Sequence, residues 1–164
     1  MLVRYPDARL GRRAEPRQVD LNLVAIGTRL LEAASAAEAY GLAAVHMGGV
    51  APVVVISVDP DPRKRDYRTL YNPEIVKLGP HAAAGPEGSV AMPGVQVEIV
   101  RSTEVEVAFD DASRVRSVLA LSGLPARIAQ HEIDQVNGVF FIERLSRLKR
   151  DLLLKKWRKR ATED

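Results

Sequence analysis

The sequence predicts an α+β fold in which antiparallel strands surround a helix late in the chain. A β-branched run at 53–58 and alternating runs at 95–100 and 105–109 are typical of strands. The stretch 125–136 has the apolar spacing of an amphipathic helix. Because strands come first and this helix comes late, instead of alternating with strands, we expect one α+β domain spanning residues 1–164.

The first third of the chain predicts one helix and one buried strand. Residues 1–19 are rich in Arg and Pro, which indicates an extended lead-in. Asp20 can cap a helix that continues to about Tyr40. The strand at 53–58 follows, and the Asp-Pro-Asp-Pro sequence at 59–62 predicts a turn that ends it.

The middle of the chain predicts strands separated by polar connections. Charged residues 63–68 indicate a solvated connection, and 71–76 indicates a short strand. Pro73 favours an edge position for this strand, because proline has no N–H to donate to a neighbour. The glycines and prolines of 79–94 predict a loop. The two alternating runs that follow predict antiparallel strands with one solvated face.

The last quarter of the chain predicts two helices. The first ends at Asn137 and Gly138, since both residues tolerate the left-handed conformation that closes a helix. The second covers 143–160 and is strongly basic. Residues 144–160 contain nine Lys or Arg and one Asp, so this segment carries +8, whereas the whole chain carries +3. The positive charge is therefore concentrated at one end of the chain.

The composition excludes several classes of site. The chain contains no Cys, which rules out disulfides, zinc–thiolate sites and a Cys nucleophile. The first residues have no apolar segment typical of a secretory signal, and no apolar run reaches membrane-spanning length. We therefore expect a cytoplasmic location and no membrane partner.

The segment 130–138 begins like the metal-binding helix of a metallohydrolase. In such a helix a His-Glu pair is followed by a second His four residues after the first, so that both imidazoles face one ion. Here His131 and Glu132 are present, but the second His position holds Gln135. The pattern is therefore His-Glu-x-x-Gln.

Three separated motifs together resemble the peptide deformylases, the metal-dependent hydrolases that remove the N-terminal formyl group from new bacterial proteins. The motifs are Gly41-Leu42-Ala43-Ala44, Glu87-Gly88-Ser89-Val90-Ala91, and Gln130-His131-Glu132-Ile133-Asp134. The opening Arg4-Tyr5-Pro6-Asp7 and the segment Asn72-Pro73-Glu74-Ile75 are also similar to that family. The resemblance covers nearly the whole chain and implies the deformylase α+β fold, with strands around the motif-bearing helix.

The resemblance assigns three metal-ligand positions, and two of them have changed. Ser89 stands where the family has a Cys ligand, and Gln135 stands where it has its second His; His131 is retained. Neutral hydroxyl and amide oxygens bind divalent ions weakly compared with thiolate and imidazole. The resemblance thus implies a divalent metal (iron, zinc, manganese or nickel) only if the site still binds one, and no cofactor if the site is lost.

The resemblance also assigns catalytic and substrate-binding positions. Glu132 is the acid/base, and His46 stands where the family has a Gln that assists the substrate carbonyl. Leu42 supplies a backbone group at the reaction centre. For substrate binding the resemblance implies Gly41, Gly88 and Arg101. A rebuilt ligand set of His46, His131 and Glu132 is an alternative, because two imidazoles and one carboxylate suit iron, manganese or zinc.

Three functions follow from the resemblance. The first is a hydrolase of N-formyl or related N-acyl amides with a weakened or rebuilt metal site. The second is a non-catalytic protein that binds a peptide N-terminus or a protein partner in the family's cleft. The third is an enzyme for a small acylated metabolite. The basic helix 143–160 resembles the segment through which some bacterial deformylases contact the ribosome, which implies an RNA partner.

Overall fold

The computed structural model describes residues 1–161 and confirms the α+β class. Three α-helices and seven strands make up the fold. In chain order they are α1 (Leu21–Ala36), β1 (Gly41–Ala43), β2 (Val53–Ser57), β3 (Tyr67–Leu78), β4 (Ala82–Ser89), β5 (Met92–Ser102), β6 (Glu104–Asp110), β7 (Arg116–Ser122), α2 (Gly123–Val136) and α3 (Arg147–Ala161).

Two antiparallel sheets enclose α2. The larger sheet has the strand order β1-β2-β3-β6-β7, and β4 pairs with β5 in a separate hairpin. Helix α2 contacts strands of both sheets, and ten of its fourteen residues are buried. Strand β2 is buried along its whole length. The predicted central helix and the predicted strand at 53–58 are therefore both confirmed.

Helix α1 begins where the sequence predicts and ends earlier. The Asp20 carboxylate accepts a hydrogen bond from the Leu23 N–H at 2.8 Å, which makes Asp20 the N-cap. The helix stops at Ala36 and does not reach Tyr40, and Glu38 then takes a left-handed φ of 50°. The buried side of α1 includes Leu23 and Leu30, which belong to the same apolar cluster as residues of β2.

The edge position expected from Pro73 was wrong. Strand β3 lies in the centre of the five-stranded sheet, between β2 and β6. The sheet tolerates Pro73 because its register shifts between Tyr71 and Glu74, so no ladder bond is required from the proline. The Asn72 side chain bonds to the Arg17 carbonyl at 2.7 Å and to the Asp110 carboxylate at 2.8 Å, which holds this irregular stretch.

The loop expected at 79–94 was also wrong, since most of it is the β4–β5 hairpin. Ser89 pairs with Met92 across a tight turn, in which the Ala91 N–H donates to the Ser89 hydroxyl at 3.1 Å. The predicted strands at 95–100 and 105–109 exist, but they lie in different sheets as parts of β5 and β6. Strand β7 was not anticipated.

The C-terminal segment returns to the body of the protein before α3 starts. A 3₁₀ turn at Phe141–Arg144 takes the place of the first turn of the predicted 143–160 helix. Helix α3 then packs through Trp157, whose ring meets the Tyr5 ring edge-on at 5.3 Å. Within residues 1–161, no helix is both long enough and apolar enough to cross a membrane.

Replacing Gly27 by Ala is expected to destabilise the fold. A Cβ at Gly27 would lie 2.8 Å from the Tyr71 ring carbon that carries the hydroxyl. Overpacking costs about 1–3 kcal/mol, which exceeds the roughly 1 kcal/mol that Ala gains over Gly in a helix. We expect Gly27→Ala to lower the free energy of unfolding in urea by up to roughly 2 kcal/mol.

Gly11→Ala is the matched control, because a Cβ at Gly11 meets nothing within 4 Å. Its unfolding midpoint should stay near that of the wild type. A Gly27→Ala protein that is as stable as the wild type, or more so, would contradict the close packing of α1 on Tyr71.

Candidate functional site

A cavity of about 340 Å³ opens between β1, the β4–β5 hairpin and α2. Six of the predicted site residues line this cavity. They are Gly41, His46, Gly88, Ser89, His131 and Glu132. The volume lies within the range of pockets that hold small ligands, about 300–1,000 Å³. The three motifs, far apart in sequence, therefore meet at one place.

Helix α2 places His131 and Glu132 against the cavity because Gln130 anchors the helix to β5. The Gln130 side-chain oxygen accepts the Ser102 N–H at 3.1 Å, and its amide donates to the Ser102 carbonyl at 2.8 Å. The Gln130 amide thus bonds to both backbone groups of Ser102, as a neighbouring strand would. These two bonds fix how α2 is turned about its axis relative to β5. His131, the next residue, then faces the hairpin.

Glu87 holds the His131 imidazole in one orientation. Burial alone would raise the pKa of Glu87, but hydrogen bonds from His131 and Arg101 outweigh it and hold that pKa at about 2. Because the ionised carboxylate only accepts, His131 Nδ1 carries the proton of the 2.8 Å bond to Glu87. Burial lowers the pKa of His131, but the bond to Glu87 and the charge of Glu132 together raise it above its usual value.

Arg101 was expected to orient substrate, and the structure places it elsewhere. Its guanidinium is buried below the cavity, donating to Glu87 at 2.9 and 3.0 Å and to Asp134 at 2.5 Å. Arg144 donates to both carboxylate oxygens of Asp134, one of which Arg101 also binds. Arg101 does not line the cavity. Its ion pairs with Glu87 and Asp134 link β4, β5 and α2, and each of these carboxylates has a further cationic partner.

The two changed ligand positions are engaged in hydrogen bonds with the backbone. The Gln135 amide donates to the Leu10 carbonyl at 2.5 Å and does not line the cavity. The Ser89 hydroxyl accepts the Ala91 N–H at 3.1 Å. Of the three predicted ligands, only His131 keeps a side chain suited to a metal. The residues present therefore do not fit the three-ligand site that the resemblance implied.

The alternative ligand set of His46, His131 and Glu132 does not fit a metal either. The Ala43 N–H donates to His46 Nδ1 at 3.0 Å, so the neutral ring carries its proton on Nε2. Burial and the nearby charge of His131 lower the pKa of His46 to about 3, which keeps the ring neutral. A protonated Nε2 has no lone pair to offer. Among residues 1–161, no three His, Cys, Asp or Glu side chains are arranged to hold an ion.

Glu132 is buried and close to His46. Burial raises its pKa to about 7, against the opposing effect of the charge of His131. Its Oε2 lies 3.9 Å from His46 Nδ1. Neither Glu132 Oε2 nor His46 Nε2 has a hydrogen-bond partner among the described residues. An N–H donor and a carboxyl oxygen, both unpaired within residues 1–161, are therefore buried in residues of the cavity wall.

Backbone geometry explains Gly41 and Gly88. A Cβ at Gly41 would lie 2.9 Å from the Glu132 side chain and 3.0 Å from Ile128, so only glycine lets β1 approach α2 this closely. A Cβ at Gly88 would lie 2.9 Å from the Val95 carbonyl. Leu42 is buried within β1, opposite Val55, and does not line the cavity.

Sequence reasoning missed four polar residues of the cavity wall, of which Glu87 was recognised only as part of a motif. Tyr40, Gln96 and Arg127 line it together with the predicted residues. Arg127 had a signal that could have been used, because it precedes His131 by four residues and such residues share a helix face. Tyr40 and Gln96 lie on a loop and a strand whose placement the sequence does not reveal.

The chain is similar to peptide deformylases by three measures. The family model described as polypeptide deformylase matches residues 1–151. A peptide deformylase-like protein of Bradyrhizobium diazoefficiens is 42% identical over 159 residues, covering 96% of this chain and 92% of that protein. A peptide deformylase of Agrobacterium fabrum is 33% identical over 144 residues, covering 88% of this chain and 85% of that protein.

Solved structures agree with the sequence comparison. The crystal structure of peptide deformylase from Ehrlichia chaffeensis superposes with a TM-score of 0.86 at 30% identity, covering 99% of this chain and 97% of that one. Peptide deformylase 1B of Arabidopsis thaliana, in complex with an inhibitor, gives a TM-score of 0.87 at 28% identity, covering 99% and 90%. The likeness therefore extends through the fold.

The neutral, buried His46 should make the protein sensitive to acid. Its pKa is about 3 in the folded chain, whereas the ordinary value for histidine is 6.5. Between these values the unfolded chain binds a proton that the folded chain does not, so stability falls as the pH drops below 6.5. The slope from this one group is at most about 1.4 kcal/mol per pH unit.

His46→Gln should remove this part of the acid sensitivity, because glutamine can accept the Ala43 N–H without titrating. We expect urea midpoints of the wild type to fall more steeply than those of His46→Gln between pH 6.5 and about pH 4. Parallel curves for the two proteins would show that His46 is not held neutral by burial.

Proposed function

The chain belongs to the polypeptide deformylase family, and from that membership and the altered cavity we propose that it binds N-acylated amides without metal-dependent hydrolysis. The ligand is an N-acylated peptide end or a small amide of the same chemistry. The binding site is the cavity between β1, the β4–β5 hairpin and α2. The family's metal-dependent reaction is then not the function of this chain.

One observation carries the proposal. The Gln135 amide, at the position of the family's second His ligand, is bonded to the Leu10 carbonyl and is absent from the cavity wall. Of the ligand set only His131 offers an imidazole nitrogen. Losing a residue that only hydrogen-bonds to a ligand already weakens metal binding by roughly 10–100-fold, so losing two of the ligands themselves should weaken it more. A hydrolase of this kind needs the ion to generate hydroxide at neutral pH.

The polar groups of the cavity suit an N-acyl amide. Such a ligand presents a carbonyl oxygen that accepts and an N–H that donates. His46 Nε2–H and the Glu132 carboxyl group are buried and have no partner among the described residues. Placing the amide between them would satisfy groups that are costly to leave unpaired. The apolar surface of Leu124, Ile128 and Val90 lines the same cavity and can cover the rest of the ligand.

One observation favours slow hydrolysis as a second candidate. Glu132 keeps the family's acid/base position, and burial raises its pKa to about 7. A group that titrates near neutral pH can both take a proton from water and give one to a leaving amine. Without an ion to activate the water, the rate would be low, so binding remains the main proposal.

The first test compares the wild type with Ser89→Cys/Gln135→His, which restores the family's ligand types. We expect the wild type to bind a formyl-methionyl peptide by calorimetry, without turnover and without stoichiometric metal by mass spectrometry. The unformylated peptide should bind at least roughly tenfold more weakly, because it lacks the acyl carbonyl and adds a charge. The double variant should acquire metal.

Glu132→Ala is the control for hydrolysis. Turnover of the formyl peptide by the wild type, lost in Glu132→Ala, would establish the hydrolase in place of the binding protein. A wild type that neither binds nor cleaves the formyl peptide would contradict both candidates. Circular dichroism of the double variant is required as well, because Gln135→His removes the bond to Leu10.

We also propose that α3 contacts ribosomal RNA. Within residues 147–160 it carries eight Lys or Arg against one Asp. Leu153, Leu154 and Trp157 pack against the body, whereas Lys155 and Lys156 are exposed. Such a basic surface binds the phosphates of RNA whatever the base sequence, and this attraction weakens as the salt concentration rises.

Ribosome co-sedimentation tests this contact. Lys155→Glu/Lys156→Glu should reduce pelleting at low salt by roughly tenfold or more, because each lost phosphate contact lowers both the affinity and its salt dependence. Arg63→Glu/Lys64→Glu is the charge-matched control on the exposed turn before β3. Equal loss in both variants, or no pelleting of the wild type even at low salt, would rule out a specific role of α3.

A further inference from the structure

Arg127 is a charged residue in the wall of the cavity. It lies on α2, one helical turn before His131, and its side chain is 15% exposed. Residues four apart on a helix have Cβ atoms about 5–6 Å from each other. Arg127 therefore stands about one residue's length from the His131 and Glu132 end of the cavity, where the proposed function places the acyl amide.

The hydrogen bonds of Arg127 leave part of its guanidinium unused. Nη1 donates to Glu87 at 2.8 Å and to the Ile99 carbonyl at 2.7 Å, and Nη2 donates to the Ala83 carbonyl at 2.8 Å. A guanidinium has five N–H groups. The Nε–H and the second Nη2–H have no partner in the part of the chain that the structure describes. Neither is committed to a protein acceptor among residues 1–161, and Arg127 is a residue of the cavity wall.

Gly85 makes room for this guanidinium. A Cβ at Gly85 would lie 2.8 Å from Arg127 Cζ, 2.9 Å from Nη2 and 3.0 Å from Nε. These nearly equal distances mean that the plane of the guanidinium lies flat over Gly85. Glycine at this position of β4 therefore lets the face of the Arg127 guanidinium pack on the strand. The edge that carries Nε–H and the second Nη2–H makes no hydrogen bond among the described residues.

The charges beneath the cavity do not balance. Glu87 is shared by Arg101, Arg127 and His131, and Asp134 is shared by Arg101 and Arg144. Three guanidiniums thus face two carboxylates. Glu132 is the other acidic residue in the cavity wall, and its Oε2 lies beside His46. Of the three guanidiniums only that of Arg127 belongs to a residue of the cavity wall, so it is the one that a ligand would meet.

We propose that the cavity selects N-acyl amides that carry a carboxylate about one residue's length from the acyl group, and that Arg127 determines this specificity. The inference rests on the proposed binding function. A planar guanidinium with two open N–H groups matches the two oxygens of a carboxylate. An apolar group in the same place would bury those N–H groups without a partner, which costs free energy.

Two sources can supply this carboxylate. One is the acidic side chain of the first residue of an acylated peptide, and the other is the α-carboxylate of a free acylated amino acid. Three probes separate them: formyl-glutamate α-amide, formyl-glutamine with a free α-carboxylate, and the neutral formyl-glutamine α-amide. Isothermal calorimetry of each with the full chain, at one pH and one salt concentration, gives the three dissociation constants.

We expect one of the two charged probes to bind about ten- to hundredfold more tightly than the neutral probe, the usual range for a hydrogen bond to a charged group. The tighter charged probe identifies the source. Arg127→Met should abolish this preference, and Arg127→Lys should keep only part of it. Gly85→Ala leaves every charge in place but displaces the guanidinium, so it should also weaken the preference.

The outcomes distinguish the inference from the proposed function. If all three probes bind the wild type equally, or if Arg127→Met retains the preference, the specificity of Arg127 is refuted while binding of acyl amides stands. If no probe binds the wild type, the proposed function is refuted and this inference with it. Should Arg127→Met fail to fold, Gly85→Ala decides, and an unchanged preference in that variant overturns the inference.

Discussion

The buried carboxylate of Glu87 is the contact on which the geometry of the cavity depends. From β4 it binds Arg101 of β5 and both Arg127 and His131 of α2. Removing a charge from water is expensive, and the cost is recovered only when the carboxylate is fully hydrogen-bonded. Loss of Glu87 would leave Arg127 and His131 without their ion-pair partner. The hairpin and the helix are thereby fixed as the two walls of one cavity.

The network around Glu87 is formed although two of the positions that the resemblance assigned to metal ligands hold Ser89 and Gln135. His131 is still held by Glu87 in the way that a carboxylate behind a metal site holds a metal-binding imidazole. Gln135 and His46, however, have taken up bonds with Leu10 and Ala43 that leave neither side chain available to an ion. The scaffold and the ligand set are thus physically separable, because the ion pairs stabilise the walls whether or not the centre binds an ion.

The sequence predicted the parts of the fold that local chemistry determines, such as the Asp20 cap and the helix that carries Glu132. It failed where tertiary contacts override local preference. Gly85 and its neighbours resemble a loop, yet Gly85 lies in a strand, where it pairs with Ile99 and Arg127 packs over it. Motif positions identified the cavity wall, but the direction of the Gln135 side chain depends on Leu10, which lies 125 residues away.

A metal centre accelerates a reaction, whereas this cavity, on the proposed function, holds a ligand. An ion polarises the carbonyl and stabilises the charge that develops as hydroxide attacks, so its effect is greatest in the transition state. A neutral imidazole N–H and a guanidinium bind the oxygens of the ground state nearly as well as those of the transition state. Such uniform binding increases the affinity for the ligand without increasing the rate of reaction. On the proposed function, Gly41 and Glu132 in a cavity without the ligand set keep the shape of a deformylase cleft and favour recognition over hydrolysis.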